Sequence, residues 1–364
     1  MDKEQQILEF IRLNPYISQQ ELAQKVGLSR PAVANYIANL TKSGIIRGRA
    51  YVINEKPHIL CIGGANVDRK AKSKQSIQLY SSNPVSIHES CGGVARNVTE
   101  NLTRLGSNTT ILTSLGQDKE GSWLLQEMKQ IGIDVSQVWI LDSERTGTYT
   151  ALLDTNGEMI VSMADMNIYD QISPNMLLEK TSTILAAKAV FIDTNLSAEC
   201  LEFIVKFCDE HNIKLYVDPV SSSKATKLPH DLSGVNVIMP NKEEAELMSG
   251  EIINDVTDCS RAALKIRERG AENVIITLGT QGVFYSSTEE EGHIPAINVQ
   301  VVDVTGAGDA FAACFIYAME NNESLSTACK YGLTGAALTV QTQHSVFPSL
   351  KSDILINLVK EYFS

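Results

Sequence analysis

Long apolar runs, paired cysteine motifs and an excess of positive charge are all missing from this 364-residue sequence. No stretch of 18 apolar residues occurs, so we expect no membrane-spanning helix. The seven cysteines are scattered and none forms a C-x-x-C pair, which argues against zinc sites and disulfides and favours buried thiols in a reducing cytoplasm. The charged start Met1-Asp2-Lys3-Glu4 is not expected to be a signal peptide. We therefore predict a cytoplasmic protein.

The net charge of −12 excludes general binding of polyanions by the whole molecule. The charge is unevenly distributed, however. Residues 1–56 hold eight Lys/Arg against five Asp/Glu, and the remaining residues hold 23 against 38. This asymmetry predicts a small domain over residues 1–56 that faces nucleic acid, joined to a large acidic domain over residues 57–364.

A motif of seven residues with a carboxylate at each end, Asp303-Val304-Thr305-Gly306-Ala307-Gly308-Asp309, is the most informative segment. The β-branched run 299–302 predicts a strand before it, and the apolar residues after it predict a helix. Small residues at a helix N-terminus let backbone N–H groups approach an anion. A carboxylate repels such an anion, so Asp309 is interpreted as a base that deprotonates a hydroxyl attacking a phosphate. The alternative is an ordinary glycine-rich turn with a capping Asp.

Residues 1–56 carry the signals of three short helices followed by a hairpin. Apolar residues at helical spacing occupy residues 4–13, Ser18 opens a capping box, and Ser29 caps a third helix. The hairpin is predicted over residues 45–53. This order predicts an all-α domain with a β-wing.

The segment from about residue 3 to 53 resembles the winged helix-turn-helix DNA-binding domains of bacterial regulators, and residues 18–29 carry the match. The resemblance implies that the third helix enters the major groove. The implied DNA-contacting residues are Arg30, Asn35, Arg47 and Arg49, with Ser29 and Lys42 as further candidates. The alternative is a three-helix module for interaction or dimerisation. The modest positive charge predicts weak binding by a monomer, so we expect a homodimer.

Strand and helix patterns alternate through most of residues 57–364. Strands are predicted at 58–63, 109–114, 189–193, 215–218, 235–239 and 273–278, and helices at 98–105, 122–131, 201–211, 242–248 and 259–268. This alternation predicts an α/β fold with a doubly wound, mostly parallel sheet. Ligands are then expected at the carboxyl ends of the strands.

Two segments, at about 69–91 and 143–168, break this alternation. Asn156-Gly157 between two β-rich runs is a strong hairpin signal. We predict that the two segments form a small β-lid, which would exclude water from a phosphoryl-transfer site. The alternative is an edge hairpin that does not contact the substrate.

Candidate ligand-binding residues follow strands or open helices in four further places, and each has a turn or a cap as its alternative. They are Asn66 and Asp68, Gly93 and Asn97, Asn241 and Glu244, and Thr277, Gly279 and Gly282. A carboxylate beside an amide can bind sugar hydroxyls, and an Asn and a Glu at i, i+3 can hold Mg²⁺ through water.

Taken together, residues 57–364 resemble the ribokinase-like (PfkB) carbohydrate kinases over nearly their whole length. The match rests on Gly92-Gly93, Asn97, Leu105-Gly106, Asn241, Glu244 and the complete motif Asp303–Asp309. The resemblance implies ATP and Mg²⁺ as cofactors, with Asp309 as the catalytic base. It also implies an anion hole formed by the amides of Gly306, Ala307 and Gly308.

The same resemblance implies roles for the remaining candidates. The sugar would be held by Asn66, Asp68, Gly93 and Asn97. The ATP site would use Asn241, Glu244, Thr277, Gly279, Gly282 and Gly308, with Mg²⁺ held by Asn241 and Glu244. A potassium ion, which members of the family often bind near the anion hole, would involve Asp303 and Thr305.

The sequence of the lid segments is similar to that of pseudouridine kinases, which phosphorylate the 5′-hydroxyl of the ribosyl group. Thr148, Asp165 and Met166 would then face the base and ribose. Ordinary strand packing is the alternative for these three residues. Other nucleosides or sugars also remain open, as does a transcriptional regulator that uses a kinase fold as a ligand sensor. A phosphosugar is less favoured, because no basic cluster marks the pocket segments.

Overall fold

The computed structural model describes residues 2–47 and 57–364. Its strands are β1 (His58–Ile62), β2 (Asn66–Ser73), β3 (Val85–Gly92), β4 (Thr109–Leu112), β5 (Ser114–Gly116), β6 (Trp139–Leu141), β7 (Thr148–Leu153), β8 (Met159–Asp165), β9 (Ala187–Asp193), β10 (Lys214–Asp218), β11 (Val237–Ile238), β12 (Asn273–Thr277), β13 (Val283–Ser286) and β14 (Glu291–Ile294).

The helices alternate with these strands. They are α1 (Lys3–Leu13), α2 (Gln19–Val26), α3 (Arg30–Lys42), α4 (Val94–Arg104), α5 (Lys119–Ile131), α6 (Pro174–Leu178), α7 (Thr181–Leu185), α8 (Ala198–His211), α9 (Ser222–Ala225), α10 (Lys242–Ser249), α11 (Val256–Arg267), α12 (Ala307–Met319), α13 (Leu325–Val340) and α14 (Ser352–Phe363). Over the two described ranges, no helix has both the length and the apolar character needed to cross a bilayer.

Eight strands form the main sheet in the order β14-β13-β12-β11-β10-β9-β1-β4. The strands from β12 to β4 pair in parallel, and β13 and β14 add an antiparallel edge. Alternate residues of β1 enter two separate hydrophobic clusters, with Leu60 and Ile62 in one and Ile59 and Cys61 in the other. A parallel strand covered on both faces needs such a continuous apolar run. The predicted α/β fold with a mostly parallel sheet is confirmed.

A second sheet, in the order β3-β2-β7-β8, is built from both segments for which a lid is predicted. The turn between β7 and β8 closes because the Asp154 carboxylate accepts bonds from the N–H groups of Asn156 and Glu158. Gly157 adopts a φ of 94° there, which explains the Asn-Gly signal. Every residue of β8 is exposed, so within the described residues nothing covers this edge strand. Exclusion of water by the sheet stays a prediction.

The prediction of a strand over residues 299–302 is wrong. The chain runs there without strand pairing, and the Asp303–Asp309 motif follows a loop instead of a strand. Val301 and Val302 are 55% and 52% exposed, and the N–H of Val302 donates to the Val340 carbonyl at the end of α13. β-Branched residues favour a strand only where a neighbouring strand can pair with them.

Helices α1, α2 and α3 pack around a small apolar core of their own. Ser18 and Glu21 form the predicted capping box of α2, and the Ser29 side chain accepts the N–H of Ala32. Most of the hairpin predicted over residues 45–53 lies outside the described residues. Where this domain meets α7, a Cβ on Gly44 would lie 2.4 Å from the Leu185 carbonyl oxygen.

Candidate active site

The carboxyl ends of the parallel strands surround a cavity of about 140 Å³. Its lining comes from the ends of β10 and β12 and from the first turns of α4, α10 and α12. The lining residues are Val94, Asp218, Val220, Met239, Asn241, Glu244, Thr277, Gly308, Asp309, Phe311 and Ala312. The cavity lies where ligands bind in open α/β sheets.

The N-terminus of α12 forms one wall of this cavity. Gly306 precedes the helix with a φ of 80°, and a Cβ on it would lie 2.1 Å from the Ser345 carbonyl oxygen. A Cβ on Gly308 would meet no atom within 4 Å, so a ligand can approach the backbone there. The helix dipole adds about half a positive charge at these amides. The arrangement therefore suits an anion such as a phosphoryl group.

Asp309 lies in the first turn of α12, beside that anion site. Its Oδ2 accepts a hydrogen bond of 2.7 Å from the Nδ2 of Asn97 on α4. Burial raises the pKa of Asp309 to about 7, and the nearby carboxylates of Asp193 and Asp68 contribute to the increase. A carboxylate with a pKa close to neutral is well matched to general base catalysis.

The residues predicted to hold the acceptor lie together at the start of β2 and α4. The Nδ2 of Asn66 donates to Asp68 at 2.6 Å, and burial raises the pKa of Asp68. Gly93 has a φ of 99°, and a Cβ on it would lie 2.5 Å from the Gly64 carbonyl oxygen. Through Asn97, this group is joined directly to Asp309.

The predicted lid residues are further from the cavity. Thr148 pairs with Val67 of β2 and with Asp165 of β8. Asp165 is exposed, whereas Met166 is partly buried against the main hydrophobic core. None of the three predicted lid residues lines the 140 Å³ cavity. Their contact with a base or ribose stays a prediction.

Asn241 and Glu244 cap the N-terminus of α10 reciprocally. The Asn241 Oδ1 accepts the Glu244 N–H, and the Glu244 carboxylate accepts both the N–H and the Nδ2 of Asn241. Both residues also line the cavity, as does Thr277. Gly279 and Gly282 instead shape the turn between β12 and β13, where a Cβ on Gly282 would lie 2.0 Å from the Ile294 carbonyl oxygen.

Three carboxylates meet at the cavity, those of Asp218, Glu244 and Asp309. Burial, together with the charges of Glu244 and Asp309, raises the pKa of Asp218 well above its usual value. Carboxylate oxygens are hard donors of the kind that Mg²⁺ prefers. Among residues 2–47 and 57–364, no set of three or more His, Cys, Asp or Glu side chains is arranged to hold a metal. Mg²⁺ would therefore keep water and phosphate ligands, as it commonly does.

Two further residues of the site, Asp193 and Asp218, are absent from the sequence-based set. Asp193 is fully buried and accepts bonds from the N–H groups of Gly64, Ala95 and Asn195. It therefore holds the β1–β2 loop against the start of α4. Both aspartates are the last residues of parallel strands, β9 and β10. An acidic residue at the carboxyl end of a predicted parallel strand is the signal that could have identified them.

Asp303 and Thr305, predicted for potassium, form a tight turn. The Asp303 Oδ1 accepts the N–H and the hydroxyl of Thr305 at 2.9 and 2.6 Å. The other oxygen, Oδ2, accepts the ammonium of Lys70 from β2 at 2.5 Å. Because a lysine already occupies this position, the residues do not fit a potassium ion.

The predicted DNA-contacting residues lie on or after α3. Arg30 and Asn35 are exposed, Arg47 is half-buried, and Arg49 lies outside the described residues. Ser29 and Lys42, at the two ends of α3, are also exposed. The outer face of α3 is therefore accessible at its N-terminal half.

Comparison with known proteins identifies the family of each domain. The family model described as pfkB family carbohydrate kinase matches residues 56–352, and that of winged helix-turn-helix DNA-binding domains matches residues 2–47. YeiI, an uncharacterized sugar kinase of Escherichia coli (strain K12), is 30% identical over 98% of this chain and 99% of its own length. The pseudouridine kinase of the same strain is 34% identical over 85% of this chain and 98% of its own length.

Two solved structures show the same fold. A carbohydrate kinase from Agrobacterium tumefaciens matches with a TM-score of 0.73 and 27% identity, over 84% of this chain and 97% of its own. Arabidopsis thaliana ribokinase, complexed with ribose and ATP, has a TM-score of 0.76 at 21% identity, over 85% of this chain and 100% of its own. The N-terminal domain is therefore a winged helix-turn-helix domain. The chain belongs to the pfkB family of carbohydrate kinases and is a phosphotransferase that acts on a hydroxyl group.

Proposed function

We propose that the chain is a cytoplasmic, ATP-dependent kinase that phosphorylates the 5′-hydroxyl of a ribosyl nucleoside, with pseudouridine as its preferred acceptor. The observation that carries the proposal is Asp309, a desolvated carboxylate beside the helix N-terminus and bonded to Asn97. The identity of 34% to a pseudouridine kinase over nearly all of that protein supports the choice of acceptor.

In this proposal, Asp309 removes the proton of the acceptor hydroxyl as the hydroxyl oxygen attacks the γ-phosphorus of ATP. The bond between that phosphorus and the β,γ-bridging oxygen breaks, and ADP leaves with the bonding electrons. The backbone N–H groups of Gly306, Ala307 and Gly308 stabilise the negative charge of the transferred phosphoryl group. Asn241 and Glu244 would hold Mg²⁺ through water, and the bound ion would offset the negative charge of the phosphates. Thr277, which lines the cavity, would contact the nucleotide together with the turn at Gly279 and Gly282.

The acceptor is positioned by Asn66, Asp68, Gly93 and Asn97, which lie together near Asp309. A carboxylate and two amides can bind the vicinal hydroxyls of a ribosyl ring. The lid residues Thr148, Asp165 and Met166 close over the base in this proposal. A base with an additional N–H, as in pseudouridine, gains a hydrogen bond there that uridine lacks.

A panel of acceptors tests the substrate directly. With ATP and Mg²⁺, pseudouridine should give the highest kcat/KM, about tenfold or more above uridine, because a site that hydrogen-bonds an N–H discriminates against its absence. Inosine, ribose and fructose 6-phosphate complete the panel, and phosphorylated product is quantified by mass spectrometry. A higher value for ribose or fructose 6-phosphate would refute the nucleoside assignment. Binding of a nucleoside without turnover would favour a ligand-sensing regulator.

We further propose that the N-terminal domain binds DNA as part of a homodimer. Exposure of Arg30 and Asn35 on α3 supports DNA binding. The exposed apolar side chains of β8, such as Met159, Ile160 and Met163, support contact with a second copy of the chain. Two copies would present two recognition helices to one duplex.

The variant Arg30→Ala should weaken binding to the DNA upstream of the gene by about tenfold, since a base-contacting arginine contributes about 1–3 kcal/mol. Fluorescence anisotropy at several salt concentrations measures this, and the stoichiometry should be two chains per duplex. Lys25→Ala, which removes the same charge from α2, is the control and should bind nearly as the parent does. Salt-independent binding, or equal loss in both variants, would contradict a specific role for α3.

A further inference from the structure

Lys70 of the second sheet, called the lid sheet below, contacts the Asp303–Asp309 motif. Its ammonium lies 2.5 Å from the Asp303 Oδ2 and 3.3 Å from the Thr305 hydroxyl, across 233 positions of sequence. Lys70 is on β2, which belongs to the lid sheet, whereas Asp303 begins the motif that ends at Asp309. The pair therefore joins the lid sheet to the motif that ends at Asp309.

The Asp303 carboxylate has a full set of partners. Thr305 bonds one oxygen through its N–H and its hydroxyl, and Lys70 bonds the other. Burial favours a higher pKa for Asp303, but the bonds from Lys70 and Thr305 outweigh it and lower the pKa below its usual value. The carboxylate lies three residues before the first amide of the anion site. Without a nearby cation, its charge would oppose the binding of a phosphoryl group there.

The pleat of β2 determines on which face of the strand the Lys70 side chain lies. Side chains alternate between the faces of a strand, so Asp68 and Lys70 share one face while Arg69 occupies the other. Arg69 bonds Glu89 and Glu120 on its own side. The same face of β2 therefore carries both the Asp68 carboxylate, proposed to bind the acceptor, and the Lys70 ammonium.

We propose that Lys70 supplies, from the lid, the positive charge at Asp303 that a bound monovalent cation would otherwise provide, so that this kinase does not require potassium. A lysine ammonium is a compact charge comparable to a small cation, and it donates charge-assisted hydrogen bonds. Because Lys70 belongs to the lid sheet, the charge reaches Asp303 only when the lid lies over the loop. This inference rests on the kinase activity of the chain but not on the identity of its acceptor.

Lys70→Met tests the proposal in a kinase assay that compares potassium chloride with choline chloride at equal ionic strength. The parent protein should differ by less than about twofold between the salts. In choline, the kcat of Lys70→Met should be about tenfold lower than that of the parent, because the charge of the Asp303 carboxylate is no longer compensated. In potassium, the variant should recover most of this activity, because the ion can take the vacated position. Lys72→Met, two residues along the same face of β2, is the matched control and should behave as the parent does.

Thermal unfolding without any substrate gives a second readout. Potassium should raise the Tm of Lys70→Met above its value in choline by about 3 °C, whereas the parent should show no difference. A parent enzyme that needs potassium overturns the proposal, and so does a variant whose activity and Tm are the same in both salts. The unfolding result stands even if no nucleoside in the panel is phosphorylated, so failure of the acceptor assignment is distinguished from failure of this inference.

Discussion

Asp309→Asn should lower kcat by about a thousandfold, because a general base contributes about 10²–10⁴ to the rate. The amide keeps the size of the side chain and cannot accept the proton of the attacking hydroxyl. Nucleoside binding, measured by calorimetry, should persist because Asn66, Asp68 and Asn97 are unchanged. Asp142→Asn, at an exposed position away from the cavity, is the control for the loss of one carboxylate. A variant with unchanged kcat would show that Asp309 is not the base.

The pH dependence provides a separate test of the same residue. The pKa of Asp309 is raised to about 7 by burial, and only the ionised form can act as a base. The kcat/KM of the parent should therefore increase with pH to a plateau, with a midpoint near 7.

The raised pKa of Asp309 also makes the stability of the folded chain depend on pH. In the folded chain, Asp309 keeps its proton up to a pH of about 7, whereas in the unfolded chain the same carboxyl group loses its proton near a pH of about 3.9. Stability contributed by this group therefore falls as the pH rises between those values. Asp309→Asn cannot ionise at this position and so avoids this pH-dependent loss of stability. The free energy of unfolding of the variant should therefore exceed that of the parent at pH 8, and the two values should be similar at pH 4. Urea unfolding measures the difference.

Gly306→Ala should reduce kcat by about a hundredfold or more, the scale expected when donors of an anion hole are displaced. The backbone φ is 80°, and the added Cβ would lie 2.1 Å from the Ser345 carbonyl oxygen. That oxygen belongs to the backbone, so the loop must move, and the amides of Ala307 and Gly308 move with it. Steady-state kinetics and thermal unfolding should both report the change.

Gly250→Ala separates the cost of a left-handed backbone conformation from the cost of a close approach to another part of the backbone. Gly250 ends α10 with a φ of 75°, but a Cβ on it would meet no atom within 4 Å. Its cost should therefore be only the left-handed backbone conformation, about 1–2 kcal/mol, with kcat unchanged. If Gly306→Ala were no worse than Gly250→Ala in both kcat and stability, the close approach to Ser345 would have no functional importance.

The parallel strands of the main sheet are predictable from the sequence, whereas the antiparallel edge strands β13 and β14 are not among the predictions. Buried parallel strands such as β1 require continuous apolar residues, and their carboxyl ends, where ligands are expected, converge at one edge. The run at 299–302 favours a strand by β-propensity alone, which says nothing about whether a pairing strand is present.

Contacts between distant elements were beyond prediction from spacing. Lys70 and Asp303 are 233 positions apart, and nothing in the sequence around Lys70 indicates an ion pair with Asp303. The position of Asp193 and Asp218 at strand ends is visible in the sequence, but the bonds and charges that surround them appear only after folding. The family resemblance implies that Asn97 binds the substrate, whereas its bond to Asp309 is visible only in three dimensions.

That bond between Asn97 and Asp309 has a stereochemical consequence. The amide engages Oδ2, so Oδ1 is the oxygen left to receive a proton from the acceptor. In the proposed reaction, the incoming hydroxyl would then meet the Oδ1 edge of the carboxylate. We therefore expect the orientation of the acceptor to depend on which edge of this single carboxylate Asn97 leaves open.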